Sequence, residues 1–109
     1  RQRMTVSEWR ALGRRLFGDD EDRWRFECPV CGFVATPADW RAAGATGGEV
    51  AFSCIGRHVE GSAEAFVDRG KGPCTYAGGG LFRLNPVEVV DEKGGIHEVF
   101  AFSTKEEPR

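Results

Sequence analysis

The chain has 109 residues, 40% of them hydrophobic and 29% charged, with a formal net charge of −2. That length fits one domain with a modest core, and burial alone leaves so small a domain marginal, so a cross-link or a bound ion would add needed stability. The mixed charge excludes a protein that coats nucleic acid by bulk electrostatics, and no apolar run reaches the roughly 18 residues of a membrane span.

Arg1, Gln2 and Arg3 precede the first methionine and read as a vector remnant, which sets the domain at 4–103 and the charge without the two arginines at −4. The stretch 4–9 lacks a basic segment followed by an apolar one, so it is not a signal peptide. That places the chain in a reducing cytoplasm, where clustered cysteines serve as metal ligands more often than as disulfides.

Thr5-Val6-Ser7-Glu8 is a capping box opening a helix. Trp9, Leu12 and Leu16 repeat at helical spacing, with Val6 and Phe17 flanking, and Gly18 suits its end. Arg10, Arg14 and Arg15 fall on the opposite side, either as a solvated face or as a surface for phosphate or an acidic partner. The acidic run 19–22 is a loop.

Residues 23–28 alternate polar and apolar, as a half-buried strand does. Trp24 and Phe26 are core residues on one reading. On the other, Trp24 or Tyr76 stacks bases while Arg25 and its neighbours hold phosphates. A short return strand follows at 33–35. Thr36, Pro37 and Asp39 start a second helix over 37–43, anchored by Trp40 and stopped at Gly44. Residues 50–54 read as a strand, and 55–72 as a long loop with one helical turn at 62–66. Gly78-Gly79-Gly80 is either a bulged turn or a place of close backbone contact with a ligand. Residues 81–90 and 96–102 form a β-hairpin about a turn at 91–95, with Pro86 at an edge or bulge, and 104–109 is a polar tail.

The cysteines are spaced Cys-x2-Cys-x22-Cys-x19-Cys. Cys28-Pro29-Val30-Cys31-Gly32 is a thiolate knuckle, a tight turn that sets both sulfurs on one side while backbone amides point at them. Cys54 and Cys74 close the shell if the fold brings them there, and His58 is the one credible substitute. Four thiolates around a tetrahedral ion leave no open position, so the site is structural. Zn2+ is the expected ion, with iron in an all-thiolate site and disulfides as alternatives.

Catalytic motifs are incomplete. His58-Val59-Glu60 and Pro73-Cys74 are fragments of a zinc deaminase pattern, but Ala77 stands where its last sulfur belongs. His97-Glu98 is followed by Ala101, not by the histidine of a zinc protease. No catalytic residue is assigned.

The knuckle resembles that of zinc ribbons. Taken with Ala38-Asp39-Trp40-Arg41-Ala42-Ala43-Gly44, Ser53-Cys54-Ile55-Gly56 and the run 73–87, it makes residues 24–90 similar to small, mostly uncharacterised proteins of actinobacteria and their phages. The resemblance implies a zinc site and a phage origin, and no reaction. The chain departs from a standard ribbon in lacking a second Cys-x2-Cys.

The expected fold is α+β: a small zinc-ribbon-like antiparallel sheet, an N-terminal helix, a short second helix and a C-terminal hairpin. The expected function is a non-enzymatic zinc module that binds another macromolecule, most concretely a phage protein engaging a host protein in the host cytoplasm. Its contacts would be the Arg10, Arg14 and Arg15 face and the loop 55–72. Nucleic-acid binding through Trp24 and Arg25 is the second reading, and a small metal-dependent enzyme the third.

Overall fold

Thr5 and Glu8 cap each other's backbone: Glu8 N–H donates to Thr5 Oγ1 at 3.1 Å, and Thr5 N–H to Glu8 Oε1 at 2.8 Å. This starts α1 (Val6–Phe17), and Gly18, at φ 92, ends it by donating to Arg14 O. The second helix uses the same device. Asp39 N–H donates to Thr36 Oγ1 and Thr36 N–H to Asp39 Oδ2, which opens α2 (Pro37–Ala42). The computed structural model describes residues 1–66 and 72–104.

Among the described residues, six short strands form two sheets: β1 (Gln2–Thr5), β2 (Phe26–Glu27), β3 (Val34–Ala35), β4 (Val87–Val90), β5 (Ile96–Val99) and β6 (Ala101–Phe102). One sheet has the order β1-β4-β5, the other β3-β2-β6. The architecture is α+β, as expected, but the first sheet is mixed. Gln2 and Arg3 belong to β1, which runs parallel to β4 with Gln2 opposite Val87. The hairpin is β4–β5, closed by Asp91 N–H to Gly95 O and by Gly94 at φ 83.

Both hairpin strands are shorter than expected. Residues 81–86 lie outside any strand, and Leu84 donates its N–H to the Tyr76 hydroxyl instead of to a ladder. The second strand breaks at Phe100, whose N–H goes to Ala51 O at 2.8 Å. That break lets the chain leave one sheet and enter the other as β6.

Residues 50–54 are not a strand. Ala51 sits at φ 56, and Phe52 and Ser53 N–H both turn back to Glu49 O, so the alternation there marks a turn. The expected helical turn at 62–66 is replaced by an isolated pairing of Ala63 with Cys74. The expected loop 55–72 and the tail 104–109 run in part over 67–71 and 105–109, which lie outside the described residues.

The core gathers Trp24, Phe26, Trp40, Tyr76 and Phe100 around the cysteines. Helix α1 reaches it through Trp9, Gly13 and Phe17 and not through Leu16, which is 39% exposed. The Trp24 ring occupies the space a Cβ at Gly13 would need, 2.4 Å from its nearest atom. The absence of a side chain at one helical position thus admits one of the two buried tryptophan rings of the core.

Candidate metal centre

Cys28 and Cys31 enter the site from β2. Cys28 N–H donates to Phe33 O, Gly32 N–H donates to Cys28 O, and Gly32 takes φ 78, which closes the knuckle. Cys54 and Cys74 come from segments with no regular strand. They are tied by Cys54 N–H to Tyr76 O at 2.9 Å and by Cys74 N–H to Cys54 Sγ at 3.3 Å.

All four sulfurs lie within 4.8 Å of one another and all four residues are buried. Cys28 Sγ and Cys74 Sγ are 3.9 Å apart, and Cys31 Sγ and Cys54 Sγ 3.8 Å. An ion with tetrahedral bonds of about 2.3 Å sets its sulfurs about 3.8 Å apart, so two opposite edges already have that length.

The backbone supplies a second layer. Val30 N–H donates to Cys28 Sγ at 3.4 Å, Phe33 N–H to Cys31 Sγ at 3.4 Å and Tyr76 N–H to Cys74 Sγ at 3.5 Å. Gly56 N–H donates to Cys54. In each case the donor is two residues after the cysteine. Such bonds favour the thiolate over the thiol and fix where its lone pairs point.

Proximity splits the thiols. Hydrogen bonds with Cys28 and Cys31 pull Cys54 far below the usual thiol range. The bond with Cys31, then the other sulfurs and burial, push Cys28 far above it. A divalent cation replaces the shared protons and lets all four sulfurs ionise. The donor set therefore fits a metal ion, and it is saturated by four sulfurs.

Two glycines make this packing feasible. A Cβ on Gly56 would sit 2.2 Å from Cys74 O, and one on Gly72 would sit 2.7 Å from Cys31 Sγ. Neither is visible in the ligand spacing, and both are part of the site.

The match to known proteins fits these positions. The VVA0879-like family covers residues 5–103. The chain belongs to that family. The matched region holds every cysteine of the site, both helices and most of both sheets, so the family's span is the span of this fold. No curated protein and no solved structure matches the chain.

The other residues singled out by sequence behave differently. His58 turns to Glu49 and stands outside the sulfur cluster. Trp24 is 1% exposed and packs on Trp9 and Phe102, so it offers no face for a base, and neither does Tyr76, also at 1%. Arg25 lies over the Phe17 ring, 5.0 Å from its centroid. Trp24 and Arg25 therefore belong to the core and its rim and do not form a stacking platform. Arg10, Arg14 and Arg15 are exposed on α1. Gly78 is buried, and a Cβ on it would lie 2.1 Å from Phe52 O, so the glycine permits two backbones to touch.

Sequence reasoning missed Asn85. It is fully buried, and its side chain joins the segment after Cys74 to the hairpin.

Proposed function

We propose that this chain is a structural zinc module that acts by binding another macromolecule and catalyses no reaction. The observation that carries the first half is the cluster of four buried sulfurs, each with its own backbone donor. Zinc suits four thiolates because it needs no redox change and accepts a tetrahedron readily. Such an ion is coordinatively saturated, which argues for holding the fold together and against activating water.

The binding half rests on exposed apolar side chains. Leu81 is 90% exposed, Phe82 59% and Phe66 52%, and the Phe66 and Phe82 rings meet edge to face at 5.5 Å. An apolar group of this kind on a small domain is a mark of a contact surface. A protein partner fits it better than nucleic acid, since Trp24 and Tyr76 are buried. A phage protein that engages a host protein is the most concrete form of this reading, and it is supported by the sequence resemblance alone.

The test is thermal unfolding with and without a strong chelator. Metal binding and folding form one equilibrium when the ligands come from distant segments. The chelated chain should lose its cooperative transition and regain it on adding zinc. An unchanged melting curve would contradict the proposal.

A further inference from the structure

Trp9 differs from the other two tryptophans in its indole nitrogen. Trp24 Nε1–H donates to Gly18 O at 2.9 Å, and Trp40 Nε1–H donates to Ser53 O at 3.0 Å. Trp9 Nε1 is buried and has no partner among the described residues. A buried donor left unmet is costly, and each such group in a folded protein calls for an explanation.

Trp9 also lines a crevice of about 300 Å³. Both helices, two turns and the end of β5 contribute to it. Trp9 comes from α1, Pro37 from the start of α2, Val50 from the end of the turn Gly47–Glu49, and Val99 from β5. All four are half-buried, so each keeps apolar surface in reach of an incoming group. Trp24 and Phe26 close the floor. Gly47 is exposed on the wall, and a Cβ there would meet nothing within 4 Å.

The charge left over beside this crevice is negative. Asp22 and Arg41 line it and pair with each other at 2.5 Å. Asp20 pairs with Arg23. Glu21 lines the crevice too, is exposed, and has no ion pair among the described residues, and the same holds for the pairing of Asp19 nearby.

We infer that this crevice seats one large apolar side chain of a partner protein, the size of Phe, next to a Lys or Arg that meets Glu21. The volume lies at the bottom of the range for small-molecule sites and suits a single side chain. Anchors of this kind, desolvated in a pocket, carry most of the energy of protein association. A carbonyl of the bound segment accepts the Trp9 N–H. The half-buried ring turns to offer it, since Nε1 is covered, and side-chain rotations are common at interfaces. The inference rests on the reading of the chain as a binding module and names the anchor by which the partner is held.

The test uses the zinc-loaded full chain with isotope-labelled tryptophan and three blocked dipeptides: acetyl-Phe-Lys-amide, acetyl-Phe-Glu-amide and acetyl-Ala-Lys-amide. The Phe-Lys probe should shift the indole N–H resonance of Trp9 and leave those of Trp24 and Trp40 in place, with a Kd on the order of millimolar. The Ala-Lys probe should bind about tenfold more weakly or worse. The Phe-Glu probe should bind about threefold more weakly, a difference that Glu21→Gln removes. Gly47→Leu adds a side chain to the wall without a clash, and should weaken the Phe-Lys probe about tenfold. Three results would each overturn the inference: no shift of the Trp9 resonance at the solubility limit of the Phe-Lys probe, an unchanged affinity in the Gly47→Leu chain, or equal affinities for the three probes. Metal content and melting are read on the same samples. A zinc-loaded, folded chain that takes no probe removes the anchor site and leaves the metal module and its exposed apolar surface standing.

Discussion

The hydroxyl of Tyr76 donates to Oδ1 of Asn85 at 3.1 Å, and both residues are almost wholly buried. The same hydroxyl accepts from Leu84 N–H at 2.8 Å. Asn85 Nδ2 donates to Phe52 O at 3.1 Å and to Glu98 O at 3.0 Å. Tyr76 also gives its own N–H to the sulfur of Cys74. A single polar network thus connects the metal centre to β5. Every member has a partner, which is the condition under which a buried network stabilises and does not cost.

Asn85→Ala should therefore be among the most damaging changes outside the cysteines. It strands two carbonyls and a hydroxyl, each with a desolvation penalty of about 1–3 kcal/mol. The expected loss is about 3 kcal/mol, read as a lower urea midpoint with an unchanged slope. Tyr76→Phe should cost about 1–2 kcal/mol, because Leu84 N–H and Asn85 Oδ1 lose one partner each.

Gly13→Ala tests the packing of α1 by its sign. In an exposed helix the change would stabilise by about 1 kcal/mol. Here the new Cβ would meet the Trp24 ring at 2.4 Å, so the helix or the ring must move. Overpacking of this kind costs about 1–3 kcal/mol, and a lowered melting temperature is expected.

Gly56→Ala should act on the metal more than on the rest of the fold. The added carbon would sit 2.2 Å from Cys74 O, on the backbone of the fourth ligand, and would also disturb the donor to Cys54. Loss of supporting contacts of this type weakens metal affinity by about 10–100-fold. Competition with a chromophoric chelator would measure it.

Acid should release the ion. Binding requires four thiolates, and Cys28 in particular is held far above the ordinary thiol range by its bond with Cys31, so protons compete directly with the metal. The stability contributed by the bound ion should be full near neutral pH and shrink as pH falls, with proton uptake on release. A metal contribution that stays constant down to about pH 5 would disagree.

How much of this was legible in the sequence depends on range. The first capping box, the start of the second helix at Thr36 and the knuckle were readable, because each is set by residues within a few positions of one another. The antiparallel hairpin was readable from its turn. The pairing of β1 with β4 was not, since no local signal marks a parallel partner so far along the chain. Residues 50–54 misled because Val50 and Phe52 alternate like a strand, while the positive φ of Ala51 bends them into a turn. Of the helix stripe, Trp9 and the flanking Phe17 do pack on the core, but Leu16 does not, because a pattern of apolar residues cannot show that a missing side chain, at Gly13, is the contact. That Cys54 and Cys74 join the two knuckle sulfurs was foreseeable only from the need to close a shell. The means is the bond between Cys54 N–H and Tyr76 O and the room left by Gly56.

The central claim is that these four cysteines hold one metal ion. X-ray absorption at the metal edge of the purified chain tests it most directly. The account predicts one zinc per chain surrounded by four sulfurs at about 2.3 Å, with no nitrogen or oxygen neighbour. A shell containing a histidine nitrogen or a water oxygen, or a folded chain without metal, would contradict it.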